Sequence, residues 1–137
     1  MTYALSDGLQ MAVYSRLASD GPLDDLVSGA VFDAVPQMAP DLFVALGPEQ
    51  VTDRSDQSGD GSRHDMMISV VTTRGGYMAA KRAAARVSDS LLSADLVLTR
   101  GHVVSMRFLK ARARRDEGEG TRRIDLWFRA RLDDDNS

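Results

Sequence analysis

Histidine and cysteine carry much of the nucleophilic, acid–base and metal chemistry of proteins, and this sequence has few of them. It contains no cysteine and only two histidines, His64 and His102. The two are too far apart in sequence to form the paired ligands of one helical turn. Neither a Gly-x-Ser-x-Gly nucleophile motif nor a glycine-rich phosphate-binding motif is present. We therefore expect both histidines to form hydrogen bonds at strand ends, and we expect a protein that is not an enzyme.

A polar loop at residues 55–64 has part of the spacing of a calcium-binding loop. Asp56, Asp60 and Gly61 occupy the first, fifth and sixth positions of an EF-hand loop. The twelfth position, where that loop needs a bidentate glutamate, is Met67, and no helical pattern flanks the segment. A glycine-containing hairpin turn is the favoured interpretation. No metal and no cofactor is expected.

Charge is divided unevenly along the chain. Residues 1–73 hold 3 arginines and 11 acidic residues, whereas residues 74–137 hold 14 basic and 9 acidic residues. Three interpretations stay open: a nucleic-acid surface, a heterologous interface between acidic and basic sides of neighbouring subunits, or solvated strand faces of mixed charge. The net charge of −3 weighs against the first. The basic residues concentrate at Arg107, Lys110, Arg112, Arg114, Arg115, Arg122, Arg123, Arg129 and Arg131.

The elements that would position these residues follow from apolar spacing. Leu5, Leu9, Val13 and Leu17 recur every four residues and predict a helix that ends before Gly21-Pro22. A short helical turn over 23–27 follows. A second long helix is predicted from Tyr77, Ala80, Ala84, Val87 and Leu91, which alternate steps of three and four.

The remaining apolar segments predict strands. The N-terminal set is 30–35, 42–46, 50–54 and 65–73, and a short strand is expected at 96–98. Strict alternation over 104–108 and 124–132 predicts a long C-terminal hairpin around a loop at 116–120. The fold class is therefore α+β, with a mostly antiparallel sheet and two main helices on one face. Residues 1–132 form a single domain, and 133–137 are expected to be a disordered acidic tail.

The chain shows no sign of a membrane segment or a secretion signal. Its longest stretches without a charged residue are 8–15 and 66–73, far short of the roughly twenty apolar residues that cross a bilayer. The N-terminus lacks the basic and apolar regions of a signal peptide. We expect no membrane contact, and a cytoplasmic origin fits the sequence.

Several segments in order resemble a known family. They are residues 31–37 with the apolar run 42–46, Thr52-Asp53 with 58–61 and His64, 73–76 leading into the alanine-rich helix, and 104–108 with 115–116, 121–122 and 126–130. In this order and spacing they resemble the tail-completion, or tail-terminator, proteins of long-tailed phages. The likeness is strongest to the version carried by alphaproteobacterial gene transfer agents, which are domesticated phage-like particles.

The resemblance implies a structural role in a particle. It implies a small α+β subunit that forms a six-fold ring at the head-proximal end of the tail tube. The implied partners are further copies of the chain, the tail tube protein and the head–tail connector (stopper or adaptor), with DNA passing through the lumen. The family brings no catalytic residues, so only surfaces are proposed. The candidate interface residues are Asp53, Asp56, Asp60, Arg63, Arg112, Arg114, Arg115, Arg122 and Arg123.

Two other functions stay open. The first is a small nucleic-acid-binding module that uses the basic C-terminal strands, where Trp127 and Phe128 would offer a stacking surface. The second is a dimeric ligand-binding domain, for which the sequence shows no pocket signature. A steep loss of DNA affinity with salt favours the module, whereas a closed oligomer indifferent to DNA favours the ring.

Overall fold

Three helices and five strands make up the part of the chain that the computed structural model describes, residues 3–57, 59–73, 75–93, 95–115 and 120–135. The helices are α1 (Ser6–Ala18), α2 (Gly21–Val27) and α3 (Met78–Ser93). The strands are β1 (Val31–Phe32), β2 (Leu42–Asp53), β3 (Gly61–Thr72), β4 (His102–Arg115) and β5 (Arg122–Asp133).

The strands form one sheet in the order β1-β2-β3-β5-β4. β1 runs parallel to β2, and the other neighbouring pairs are antiparallel. The α+β class, the mostly antiparallel sheet and the long C-terminal hairpin are confirmed. β4 lies at one edge, and its pairing with β5 shifts register twice, between Val103 and Ser105 and between Phe108 and Lys110.

Rows of paired residues cross the whole sheet. One row runs from the β1 edge to the β4 edge through Val31, Val44, Val70, Ile124 and Ala113. Four interstrand spacings separate its ends, which is about 19 Å. At this row, the β1 edge and the β4 edge therefore lie at the same level along the strand direction.

The helices bury their apolar stripes against one face of the sheet. α1 buries Leu9, Val13 and Leu17, as the four-residue spacing predicts. α3 buries its predicted alanine-rich stripe in the same way. Alternate residues of β5 face this layer, and Phe128 is fully buried. Burial at a period of two in β5 and near four in α1 explains why the sequence predicts these elements correctly.

One helical segment and one strand differ from what the sequence predicts. Residues 21–27 form a full helix rather than a turn, because Asp20 caps it by accepting a hydrogen bond from the Leu23 amide at 2.9 Å. Within the described residues, the layer therefore consists of the two predicted main helices and this short third one. The strand expected at 96–98 is absent from the described residues 95–115, and Val97 is 86% exposed.

β2 and β3 are longer than the sequence predicts. The expected strands 42–46 and 50–54 are one strand, because a register shift between Leu46 and Glu49 lets the chain pass Gly47-Pro48 without ending. β3 begins at Gly61, so Gly61 to His64 belong to a strand and not to the polar loop. Of the predicted hairpin loop at 116–120, residues 116–119 lie outside the described residues.

Asp133 and Asp134, which the sequence assigns to a disordered tail, belong to the folded domain. Asp133 is the last residue of β5, and Asp134 is buried. The Asp134 carboxylate accepts two hydrogen bonds from Arg100 at 2.9 and 2.8 Å, and its amide donates to the carbonyl of Asp60 at 2.9 Å. The Arg100 bonds tie the end of β5 to the segment before β4, and the amide bond ties it to the turn between β2 and β3. The positions Asn136 and Ser137 lie outside the described residues.

Candidate functional site

The five candidate arginines meet at one end of the sheet, where β4 ends and β5 begins. Arg115 pairs with Arg122, and Arg114 pairs with Arg123, in the last two rows of the hairpin. Arg112 lies two rows further in, opposite Asp125. The structure therefore brings together the basic residues that the sequence proposes as one surface.

Asp125 holds two of these arginines inside the subunit. Arg123 Nε donates to Asp125 Oδ1 at 3.1 Å, and Arg114 Nε donates to Oδ2 at 3.4 Å. The Ser69 hydroxyl donates to the same carboxylate at 2.6 Å. Burial, the largest single influence, raises the pKa of Asp125, but Ser69 and the two arginines together lower it below its usual value. Asp125 is therefore a buried anchor for the basic surface.

The other three arginines differ in their contacts. Arg122 Nη1 donates to the carbonyl of Gly75 at 2.6 Å, and its guanidinium lies 5.7 Å from the centre of the Tyr77 ring. Arg112 and Arg115 are exposed to solvent. These two are the arginines of the group best placed to contact another molecule.

The candidate acidic residues lie at the opposite end of the sheet. Asp53 accepts hydrogen bonds from the Ser55 hydroxyl at 2.6 Å and from its amide at 3.1 Å, and both lower the pKa of Asp53. Asp56 accepts one from the Gly59 amide at 3.1 Å, and Asp60 lies one residue before β3. This end therefore presents carboxylates on the turn between β2 and β3.

Arg63 belongs to the sheet face opposite the helices rather than to the turn. Its Nε lies 3.7 Å from Asp65 Oδ2, and Asp65 also accepts two hydrogen bonds from Arg129 at 2.7 and 3.1 Å. The Arg129 guanidinium is the main cause of a lowered pKa of Asp65. This pairing was not predicted from the sequence, because it depends on the register of β3 against β5.

The two groups of candidate residues do not meet within one subunit. The rows Gly61–Asp133 and Thr72–Arg122 mark the two ends of the paired strands. Eleven residue steps at 3.3 Å separate these rows by about 36 Å. The acidic turn and the basic hairpin end are therefore two separate surfaces at opposite poles of the subunit.

Further cations cover the sheet face between these poles. Arg107, Lys110 and Arg131 are exposed there, and Lys110 Nζ lies 4.8 Å from the centre of the Trp127 ring. Trp127 is half-buried beneath that lysine. The alternation of apolar and basic residues along 124–132 is the sequence signal that places the β5 cations on this face.

The histidines form hydrogen bonds or loose ion pairs. His64 is fully buried, with Nε2 2.8 Å from Ser62 Oγ and Nδ1 3.2 Å from Glu49 Oε2. Burial raises the pKa of Glu49, but its bonds with His64 and Ser6 outweigh burial, and the pKa is lowered. His102 is exposed at the start of β4, within 3.8 Å of Asp133. His64 is thus a buried hydrogen-bonding residue that joins β3 to the bulge in β2.

The described ranges contain neither a metal-binding cluster nor a membrane-spanning helix. They hold no group of three or more His, Cys, Asp or Glu side chains arranged to bind a metal ion. None of the helices in those ranges combines the length and hydropathy of a membrane-spanning segment.

Comparison with known proteins identifies the family. Residues 11–133 match the sequence profile of the tail completion protein gp17 family, which accounts for most of the chain. The chain belongs to this family. It is therefore a structural tail protein, as the resemblance in its sequence predicts.

A solved structure agrees with this membership. This chain matches a chain from the structure titled "Virion of native gene transfer agent (GTA) particle". The two are 52% identical, the TM-score is 0.90, and the match covers 96% of this chain and 99% of the other. None of the curated proteins matches this sequence significantly.

Proposed function

We propose that this tail completion protein forms a hexameric ring at the head-proximal end of the tail tube in a gene-transfer-agent-like particle. The ring stops polymerisation of the tube, joins the tail to the head-side connector, and leaves a lumen through which DNA passes. The role involves no catalytic step and no cofactor. The observation that carries the proposal is the match over 96% of the chain to a subunit of a gene transfer agent virion.

The physical reason for such a ring is the open end of a helical stack. A stack of identical rings always exposes a face that accepts the next ring. Only a different subunit, which fits the tube on one side and the connector on the other, ends the growth. A subunit with this role needs two unlike docking surfaces on opposite sides.

The two charged poles of the sheet suit this requirement. We assign the acidic turn with Asp53, Asp56 and Asp60 to one axial partner and the basic hairpin end to the other. The two poles lie about 36 Å apart along the strands, so one subunit reaches both partners at once. The basic surface consists of Arg112, Arg114, Arg115, Arg122 and Arg123. Arg63 lies on the open sheet face between the poles and belongs to neither of them.

Loss of the protein tests the proposed function directly. Particles from a strain that lacks it are expected to separate into filled heads and unattached tail tubes, and the tubes are expected to vary in length. Electron micrographs and tube-length distributions measure both effects, and a plasmid copy of the gene serves as the control. Complete tailed particles with normal tube lengths contradict the proposal.

Charge reversal at the basic pole tests the docking surface. Arg112→Glu, alone and combined with Arg115→Glu, is expected to lower incorporation into particles at least about tenfold, because like charges across an interface repel strongly. Arg115→Glu alone should change the unfolding free energy by less than about 0.5 kcal/mol, because its side chain is exposed. Arg112→Glu places a second carboxylate opposite Asp125 and should cost up to about 1 kcal/mol, so the stability of each variant is measured beside its incorporation. Arg82→Glu, on the exposed face of α3, is the matched control. Normal incorporation of the double variant contradicts the assignment of this pole.

The cations on the open sheet face favour one alternative function. Arg107, Lys110, Arg112 and Arg131 together form a basic strip suited to phosphate contacts. A DNA-binding module of this kind predicts joined, normal-length particles with defective DNA content when the protein is lost. The same micrographs therefore distinguish the two functions, and a binding titration at two salt concentrations measures the DNA affinity of the strip.

A further inference from the structure

An apolar groove of about 330 Å³ lies between helix α3 and the edge strand β4. Its floor consists of Ile124 and Leu126, and Phe108, Ala111 and Ala113 form the β4 wall. The α3 wall is Lys81, Ala84, Ala85 and Ser88. The groove exists because α3 leaves the inner face of the second half of β4 partly uncovered, so that Phe108, Ala111 and Ala113 stay exposed.

Within the described residues, the groove is open to solvent along its β4 wall. Phe108 is 43% exposed although it packs edge-to-face against the buried Phe128, with ring centres 5.8 Å apart. Ala111 and Ala113 are exposed as well. Lys81 is the one charged residue among those lining the groove. The groove is thus an apolar surface with a cation at its rim.

The loop at residues 33–41 has the complementary character. It joins β1 to β2 at the opposite edge of the sheet. Met38 is 93% exposed and Val35 is 62% exposed. The loop contains Asp33 and Asp41 and no basic residue. It therefore presents apolar side chains between two carboxylates.

The sheet register places loop and groove at the same height. The loop leaves β1 at Phe32, which is paired with Ala45, and enters β2 at Leu42. The groove wall residue Ala113 lies in the row that passes through Ile124, Val70 and Val44. A neighbouring subunit rotated about an axis roughly parallel to the strands thus presents its loop at the level of this groove.

We infer that the groove between α3 and β4 binds the 33–41 loop of the next copy of this chain, with Met38 in the groove and Asp33 near Lys81. Unlike surfaces at opposite edges make a heterologous contact, which repeats around an axis and closes a ring. The charges are complementary, and the apolar groove is covered. The inference rests on the proposed ring and supplies its lateral contact. It differs from a lateral contact between the acidic and basic poles, because the poles are separated along the strands and not across them.

Cysteine cross-linking tests the contact, because the chain has no native cysteine. The variant Met38→Cys/Ala111→Cys is introduced into the producing strain, and purified particles are oxidised and run on a non-reducing gel. Every subunit carries both halves of the contact, so we expect a covalent ladder beyond the dimer. Met38→Cys/Val97→Cys is the matched control, since Val97 is exposed outside the groove, and it should give no ladder.

The outcomes separate this inference from the proposed function. Complete particles without a ladder overturn the docking of the loop in the groove and leave the terminator role standing. Complete particles in the strain that lacks the protein overturn the terminator role itself. A band that stops at the dimer indicates a symmetric contact and also contradicts the inference.

A charge exchange gives a second, independent readout. Asp33→Lys and Lys81→Glu are each expected to lower incorporation about tenfold, and the combined variant should recover most of it. Both residues are exposed, so thermal midpoints of the purified variants should stay within a few degrees of the wild type. The pairing is contradicted if both single variants are incorporated as well as the wild type. It is also contradicted if the combined variant is incorporated as poorly as either single variant.

Discussion

Replacement of Asp20 by alanine is expected to lower the unfolding free energy by about 3 kcal/mol, because a buried ion pair and a helix cap are lost together. Asp20 is 4% exposed and accepts two hydrogen bonds from Arg86, both at 2.9 Å, besides capping α2. The change removes the polar link between the start of α2 and Arg86 of α3, while the apolar packing of α2 remains. Urea denaturation followed by circular dichroism measures the loss, and a change below about 0.5 kcal/mol contradicts the role.

Asp20→Asn is the matched control, because asparagine also caps helices. It should cost less than alanine, about 2 kcal/mol, since the charge is lost and the cap remains. The hydrogen bonds from Arg86 are the main cause of a strongly lowered pKa of Asp20. A carboxyl with a lowered folded pKa stabilises above its unfolded pKa of about 4 and loses this contribution as pH falls. The difference between wild type and Asp20→Asn should therefore be constant above about pH 5 and shrink below about pH 4.

The second large effect is expected at Gly101, at the turn into β4. Its φ is 76°, and a Cβ built there lies 2.5 Å from the Asp133 carbonyl oxygen and 2.9 Å from Leu5 Cδ2. Gly101→Ala therefore combines left-handed backbone strain with a contact that the backbone of β5 cannot relieve cheaply. We expect a loss of about 3 kcal/mol in unfolding free energy.

Gly75→Ala isolates the backbone strain from the contact. Gly75 has a similar φ of 71°, but a Cβ there has no heavy atom within 4 Å. The substitution should cost only about 1 kcal/mol. Equal losses in the two variants indicate that backbone conformation alone matters and contradict the close approach of Gly101 to β5.

Periodic elements were predictable from sequence, and elements that depend on distant contacts were not. The spacing of Leu9, Val13 and Leu17 and the alternation along β5 report burial directly, since each pattern has only one structural explanation. The sequence predicts two strands in place of β2, because Gly47-Pro48 is typical of a turn. In the structure a bulge accommodates this pair within one strand. Asp20 at the N-cap position and Pro22 in the first turn are together a sequence signal for a helix. The prediction of a short turn does not use this signal.

The candidate surfaces show the same division. The hairpin pattern correctly groups the five arginines, because their positions follow from two antiparallel strands. It does not reveal that Asp125 binds Arg114, since this bond depends on the β4–β5 register, which shifts twice, nor that Ser69 of β3 donates to the same carboxylate. Asp134 was assigned to a tail for the same reason: its partner Arg100 is distant in sequence. The apolar groove depends on how α3 is placed relative to β4 in the folded chain, and no local sequence pattern encodes this placement.

The two register shifts in β4 have a consequence for the subunit before assembly. An exposed edge strand of fourteen residues is a template for uncontrolled strand pairing and amyloid-like aggregation. Bulges interrupt the regular spacing of its amide and carbonyl groups, and the basic side chains along it repel a second copy of the same edge. We therefore expect the free subunit to resist edge-to-edge pairing and fibril formation at high concentration. The same strand thus disfavours backbone pairing with a second copy and leaves its side chains as the surface for contacts.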